Sequence, residues 1–272
     1  MEKLIQIGRI FFAIAVLGLG IEHFVFEDFI TGRAPDWPES IPGKRIWAYT
    51  TGLVFVGVSI AILSGKHARL AAILAAMLVF VWALLRNMPV LAADSVLSGN
   101  WTRAGKALTL TGGFLAIAAG FPKVDVVRSG LMTRFLNSEG SFIATGRMCL
   151  GIFLVITGIQ HFMFTEFVAS LIPGWFPGDA VLWTYFAGVA LLAGGIGLFI
   201  PLAARLAALL SGIMVFSWFW IVHIPRTLFS VSDGIAVFEA LAVSGMAFLL
   251  AGCLSRTETS IPVRKSSLIK EM

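Results

Sequence analysis

The sequence predicts an all-α membrane protein: eight transmembrane helices in two parallel four-helix repeats, with both termini cytoplasmic. Three observations lead there. The 272 residues are 58% hydrophobic and only 13% charged, with a mean hydropathy of +0.92, whereas soluble domains carry about 25% charged residues. Apolar runs recur at close to the roughly 20 residues that cross a bilayer as a helix. The chain is also written twice. Gly20-Ile21-Glu22-His23-Phe24-Val25-Phe26 returns as Gly158-Ile159-Gln160-His161-Phe162-Met163-Phe164, with the histidines 138 residues apart. Backbone in lipid must satisfy its own hydrogen bonds, which favours helices, and no ten-residue alternation suggests a β-barrel.

The first helix is expected over residues 8–26. Lys3 and Arg9 ahead of it imitate a signal peptide, but the run is a copy of a mid-chain helix and is read as a permanent span. A loop rich in Pro and acid follows, from Glu27 and Asp28 to Pro42. The second helix is expected over 46–64. After the basic turn Gly65-Lys66-His67, where His67 reads as solvated, a third covers 68–87 and is closed by Pro89. The fourth covers 103–121 and stops at Pro122. These make the first repeat, 1–121.

Residues 122–145 are more polar and read as a cytoplasmic linker. Val126 to Phe135 within it suits either an amphipathic surface helix or a plain connector. The second repeat, 146–254, is expected to hold helices over 146–165, 182–200, 202–223 and 235–254. The polar tail, 255–272, has no core to bury and is expected to be disordered.

The repeat holds residue by residue. Gly8-Arg9 matches Gly146-Arg147, Pro35 matches Pro173, and Trp37 matches Trp175. After a two-residue deletion, Trp47, Tyr49 and Gly52 match Trp183, Tyr185 and Gly188. Arg69-Leu70-Ala71-Ala72 matches Arg205-Leu206-Ala207-Ala208, and Trp82 and Pro89 match Trp218 and Pro225. With the N-terminus inside, 13 of the 20 Lys and Arg residues fall on the cytoplasmic side, as the positive-inside rule requires. Four helices per half make the halves parallel, related by a pseudo-two-fold axis along the membrane normal. The expected location is a bacterial or archaeal cytoplasmic (inner) membrane, multi-pass, with the lipid bilayer as first partner.

Several chemistries are set aside. The net charge of +5 comes from basic residues scattered at loop ends, with no patch dense enough for nucleic acid. Cys149 and Cys253 form no CxxC. There is no GxGxxG after a strand, no P-loop, no HExxH and no GxSxG, and no metal-ligand spacing.

The predicted topology gathers the unusual residues near the outer face. His23 lies about 22 Å along its helix from the cytoplasmic start, at about 1.5 Å per residue, and His161 is equivalent. Glu22, Gln160, Arg86 and His223 fall nearby. Ionisable residues within a span are costly and mark candidate sites. For His23 and His161 the readings are a hydrogen bond between helices, contact with a ligand or proton, or ligation of haem by two facing imidazoles, the last being the least favoured. Glu22 and its counterpart Gln160 suit a buried hydrogen bond or, for Glu22, proton handling. His223 equates with Asn87. Trp47, Tyr49, Trp183 and Tyr185 suit an interfacial belt or the aromatic walls of a pocket. Lys106 and Glu239 occupy equivalent positions, so they either meet across the pseudo-two-fold axis as an ion pair or each snorkel to the interface.

The doubled pattern Gly-Arg, an apolar run, then Gly-x-x-His-Phe resembles the opening of the DoxX and DoxD family of four-helix membrane proteins. Arg-Leu-Ala-Ala at the start of the third helix, and Gly112 and Gly245 in the last helix of each half, are similar too. The resemblance covers both halves, about 230 residues, as two fused copies. Members have been associated with thiosulfate:quinone oxidoreduction, terminal quinol oxidases and redox-stress complexes. The resemblance implies a quinone-linked redox subunit working with a redox partner subunit, and the residues matching the family pattern are Gly20, His23, Phe24, Gly158, His161 and Phe162. Whether the chain is itself an enzyme stays open. The alternative is a non-enzymatic carrier or binder of a small hydrophobic molecule or lipid, or a docking platform built on the outer loop.

Overall fold

The computed structural model describes residues 2–30, 35–94, 97–124, 130–228 and 233–259, with side chains to residue 254. Among these residues the protein is entirely helical, with no strand. In chain order the helices are α1 Glu2–Val25, α2 Lys44–Ser64, α3 Ala68–Ala93, α4 Gly99–Ala119, α5 Leu131–Leu136, α6 Glu139–Met163, α7 Thr165–Ala169, α8 Ala180–Phe199, α9 Pro201–Arg226 and α10 Asp233–Thr259.

Seven of them, all but α4 and the short α5 and α7, are long and apolar enough to cross a membrane. That is the make-up of a multi-pass membrane protein. Their outward faces carry large exposed apolar side chains such as Leu53, Leu74, Leu85 and Leu202, far more than water-facing helices carry. The 21-residue α4 is as long as α2, but Arg103 and Lys106 dilute its apolar content.

Several boundaries differ from those read in the sequence. α1 begins at Glu2 and α6 at Glu139, each about two turns before the apolar run, and the added turns bury Ile5 and Phe142. The linker is accordingly shorter and includes α5. α4 starts at Gly99, where Ser98 caps it by accepting a hydrogen bond from Asn100 N at 3.2 Å. It ends at Ala119, ahead of Pro122. Arg69 donates to the carbonyls of Ala118 (3.2 Å) and Phe121 (2.9 Å), and Arg9 donates to that of Gly120. These cations thus satisfy a helix C-terminus, which leaves carbonyls unpaired.

Pro89 does not close the third helix. A π-helical turn, Ala83–Asn87, precedes it, and a further α turn, Met88–Ala93, follows. A π turn widens the backbone and absorbs the clash and missing N–H that proline otherwise imposes. The same happens in α9, where the π turn Phe219–His223 precedes Pro225. α10 runs on to Thr259, five residues past the expected end. The remainder of the predicted tail, residues 125–129 of the linker, and Arg33 lie outside the described residues.

The long helices close into a ring: α1, α2, α3, α4, α6, α8, α9, α10 and back to α1, each packed on the next. α4 and α10 also touch across the middle. The first helix of each half packs on the last helix of the other, through paired glycines. A Cβ on Gly8 of α1 would come within 2.5 Å of Gly245 O on α10, and one on Gly146 of α6 within 2.9 Å of Gly112 O on α4. Small residues allow such backbone approach, and packing drives helix association in lipid.

Candidate functional site

The ring encloses two cavities, one on each side of the α4–α10 contact. The first, about 140 Å³, is lined from α1, α2, α3, α4 and α10. The second, about 540 Å³, is lined from α4, α6, α8, α9 and α10 and by the loop after α7. Lys106 of α4 and Glu239 of α10 line both. Their side chains form an ion pair, Nζ to Oε2 2.7 Å, in the wall between them.

Each cavity holds one of the repeat-related histidines, His23 or His161, in the same pose. His23 Nδ1 lies 2.7 Å from Leu19 O, and His161 Nδ1 lies 2.7 Å from Thr157 O. A carbonyl only accepts, so Nδ1 carries a proton, and in the neutral form of the ring Nε2 is left as an acceptor. The bond to the preceding turn also fixes the ring plane. His23 meets Phe29 and Phe55 edge-on, at 6.1 and 5.7 Å. His161 stacks on Trp218, with centroids 6.1 Å apart and planes at 23°.

The π turns deliver further groups. Arg86 and Asn87 line the first cavity, and Val222 and His223 the second. Arg86 holds a plug over the first cavity. Its guanidinium lies over Phe29 (4.4 Å) and Trp37 (5.5 Å) and donates to Pro35 O. Phe29 and Trp37 stack 5.2 Å apart, and Trp82 packs on both. Ion pairs Lys44–Asp28 and Arg45–Glu27 (3.1 Å) pin the ends of this loop. Glu27, Asp28 and Pro35 are thus engaged within the molecule, while Asp36, Pro38, Glu39 and Pro42 are exposed.

In the second half Val222 stands in place of Arg86, and no guanidinium gathers the aromatics. Phe167 and Trp175, the counterparts of Phe29 and Trp37, are 66% and 64% exposed, against 7% for Phe29. The second cavity is correspondingly larger. Its walls include Phe176, Trp183, Phe186 and Trp218. Trp183 is fixed by its indole N–H to Pro177 O at 2.8 Å.

The remaining predicted candidates lie elsewhere. Gln160 is buried and faces α4: Nε2 donates to Ser98 O (2.7 Å) and Leu97 O (3.2 Å), and Oε1 accepts from Thr102 Oγ1 (2.6 Å). Glu22 is buried with Oε1 beside Gly234, in the first turn of α10, where a helix N-terminus favours negative charge. Neither lines a cavity. Each instead braces the start of the last helix of the other half. Tyr49 and Tyr185 stack outward on Phe24 and Phe162, at 5.5 and 5.8 Å. Trp47 meets Trp82 from outside the first cavity.

Sequence reasoning passed over Thr102, Thr157, Phe176 and Trp218 as site residues. Only Trp218 left a signal, as the repeat partner of Trp82. Among the described residues no three His, Cys, Asp or Glu side chains gather as a metal site. His23 and His161 line different cavities.

A family model described as a domain of unknown function (DUF8561) matches residues 150–246. The match takes in the lining of the second cavity from Phe153 to Val243 and leaves Thr102 and Lys106 outside. No curated protein and no solved structure matches the chain.

Proposed function

We propose that this membrane protein binds a quinone-type ring in the His161 cavity and serves as the quinone-linked subunit of a redox complex. The observation that carries the reading is the cavity itself. At about 540 Å³ it falls in the range of small-molecule sites, roughly 300–1,000 Å³. Its walls are aromatic and apolar, and its few polar groups include His161, His223, Thr157 and the Lys106–Glu239 pair.

These groups suit the reduced form of such a ring. A quinol gives up two protons and two electrons on becoming a quinone. His161 Nε2 accepts a hydrogen bond from one ring hydroxyl, and stacking on Trp218 holds the imidazole in line. Glu239, which also lines the cavity, offers a second acceptor for a proton. The electrons leave to a partner subunit.

The proposed setting is the one read from the sequence: eight spans in two parallel repeats, both termini cytoplasmic, in a bacterial or archaeal cytoplasmic membrane. Three recurrences support the repeat: the histidine pose, the glycine contacts between first and last helices, and the π turns before Pro89 and Pro225. The length of α4 and the pairing of Lys106 with Glu239 support an eighth span. His23 and His161 then face the outer half of the bilayer.

A second reading, a carrier of a small hydrophobic molecule without redox turnover, is favoured by the cavity's apolar walls. Purification in native lipid followed by extraction of bound quinone separates them. About one quinone per chain is expected, lost in His161→Ala and retained in His23→Ala, because the first cavity is small and plugged. Absence of quinone from the unmodified protein overturns the proposal. Bound quinone with no quinol oxidation in membranes carrying the partner leaves only the carrier reading.

A further inference from the structure

We infer that the ligand of the His161 cavity carries a single apolar tail, which leaves sideways through a groove between α8 and α9, and that the ligand arrives by this route from the bilayer. The inference rests on the cavity being a ring site and adds the rest of the molecule.

The groove measures about 440 Å³ and is lined by Ala190, Ala193, Gly194 and Gly197 of α8 and by Ala203 and Ala207 of α9. Phe186, Leu210 and Met214 line both the groove and the cavity, so the two are neighbours separated by these side chains. Phe186, Leu206 and Leu210 form an exposed rim on the lipid-facing side. No charged residue lines it, and its one hydroxyl, Ser211, is buried. From Phe186 to Gly197 the groove follows α8 for about 16 Å at 1.5 Å per residue. That is about half of a roughly 30 Å hydrocarbon layer.

The first half makes a contrast. At the repeat offset of α2 and α8, Val54 and Val58 stand where the second half has Ala190 and Gly194. Val58 is buried. The half with the smaller cavity thus carries bulk at these two groove positions, although Gly57 there is smaller than its counterpart Ala193. Helix packing alone accounts for Gly194, whose Cβ would collide with Ser211 Oγ. It does not account for the exposed Ala193, nor for the three side chains that the groove shares with the cavity.

A tail moving from lipid into this groove gains little hydrophobic free energy, since lipid is as apolar as the groove. The groove acts by geometry: a ring in the cavity needs an outlet for its tail. Blocking the outlet therefore discriminates against tailed ligands and spares the bare ring.

The test uses the full chain in nanodiscs and two probes: a benzoquinone with a ten-carbon alkyl tail, and the same ring with a methyl in its place. Binding is read by quenching of tryptophan fluorescence. The expected result for Ala190→Phe/Ala193→Phe is a loss of about tenfold or more in affinity for the tailed probe, with the methyl probe unchanged. Equal binding of the tailed probe to wild type and variant overturns the inference. A tailed probe with a terminal diazirine, photolysed on the wild-type protein, makes the test independent of the variant's folding. Adducts on α8 and α9 around Gly197 and Ala203 that excess tailed quinone removes support it. Adducts elsewhere, or adducts that a phospholipid removes equally well, overturn it. Failure of both probes to bind wild type overturns the ring site itself.

Discussion

Lys106 and Glu239 meet at 2.7 Å in the wall that separates the two cavities, each supplied by the last helix of its half. Neither can be lost singly without cost. Their side chains are 26% and 14% exposed, so burial is substantial but incomplete. Breaking a fully buried pair costs about 3–5 kcal/mol; partial exposure lowers the expectation for Lys106→Met or Glu239→Leu to about 1–3 kcal/mol. The double variant is expected to be more stable than the sum of the singles implies. Thermal unfolding in detergent, arranged as a double-mutant cycle, reads the coupling. Additive losses would mean that the pair does not act as a unit.

Arg86 is the keystone of the plug over the first cavity. Arg86→Ala removes the bond to Pro35 and the contacts with Phe29 and Trp37. A charged hydrogen bond is worth about 1.5–3 kcal/mol and a cation–π contact about 0.5–2 kcal/mol. The loop from Glu27 to Pro42 is then expected to exchange its amide hydrogens at least tenfold faster, while α6, α8 and α9 keep their protection. Arg86→Lys is expected to behave nearly as badly, because an ammonium cannot stack as a planar guanidinium does. Unchanged exchange in both variants would show that the aromatics hold the loop without the cation.

The paired glycines set how closely the halves join. Gly8→Val places a side chain against Gly245 O and the Leu249 backbone of α10, where even a Cβ is too close. The expected outcome is loss of folded protein in size-exclusion chromatography. Gly57→Ala is the control, since nothing lies within 4 Å of a Cβ there. It should be neutral or slightly stabilising, as alanine is the better helix former. Equal tolerance of both changes would place the α1–α10 contact elsewhere.

Much of this architecture was legible. Apolar run length gives the helices, and the doubled Gly-x-x-His-Phe gives the equivalence of His23 and His161. Equivalent placement left Lys106 and Glu239 either as partners or as residues that each snorkel to the interface, and their side chains meet at 2.7 Å. The π turns were not legible. Pro89 and Pro225 were visible, but proline ordinarily ends or kinks a helix, and a π turn has no compositional mark. The unequal cavities were hidden for another reason. Trp37 and Trp175 are the same residue at the same repeat position, yet one is drawn inward and the other left out. The neighbouring cation that engages Trp37, Arg86, is Val222 at the same repeat position of the second half.

Glu22 and Gln160 show how a polar residue in a span can mislead. Both suited either a buried hydrogen bond or a place in the site, because burial of polar groups in lipid is expensive. Gln160 instead offsets that cost through three hydrogen bonds to the start of α4. Gln160→Ala leaves the Thr102 hydroxyl and two carbonyls without this partner, and hydrogen bonds between membrane helices average about 0.6 kcal/mol each. A loss of about 1–2 kcal/mol in stability is expected, together with faster amide exchange at residues 99–102. Quinone retention should change by less than about threefold, since Gln160 does not line the cavity. A residue that bound the ligand would show the reverse: quinone lost and the start of α4 undisturbed. Measuring both quantities on one preparation decides between a brace and a binding group.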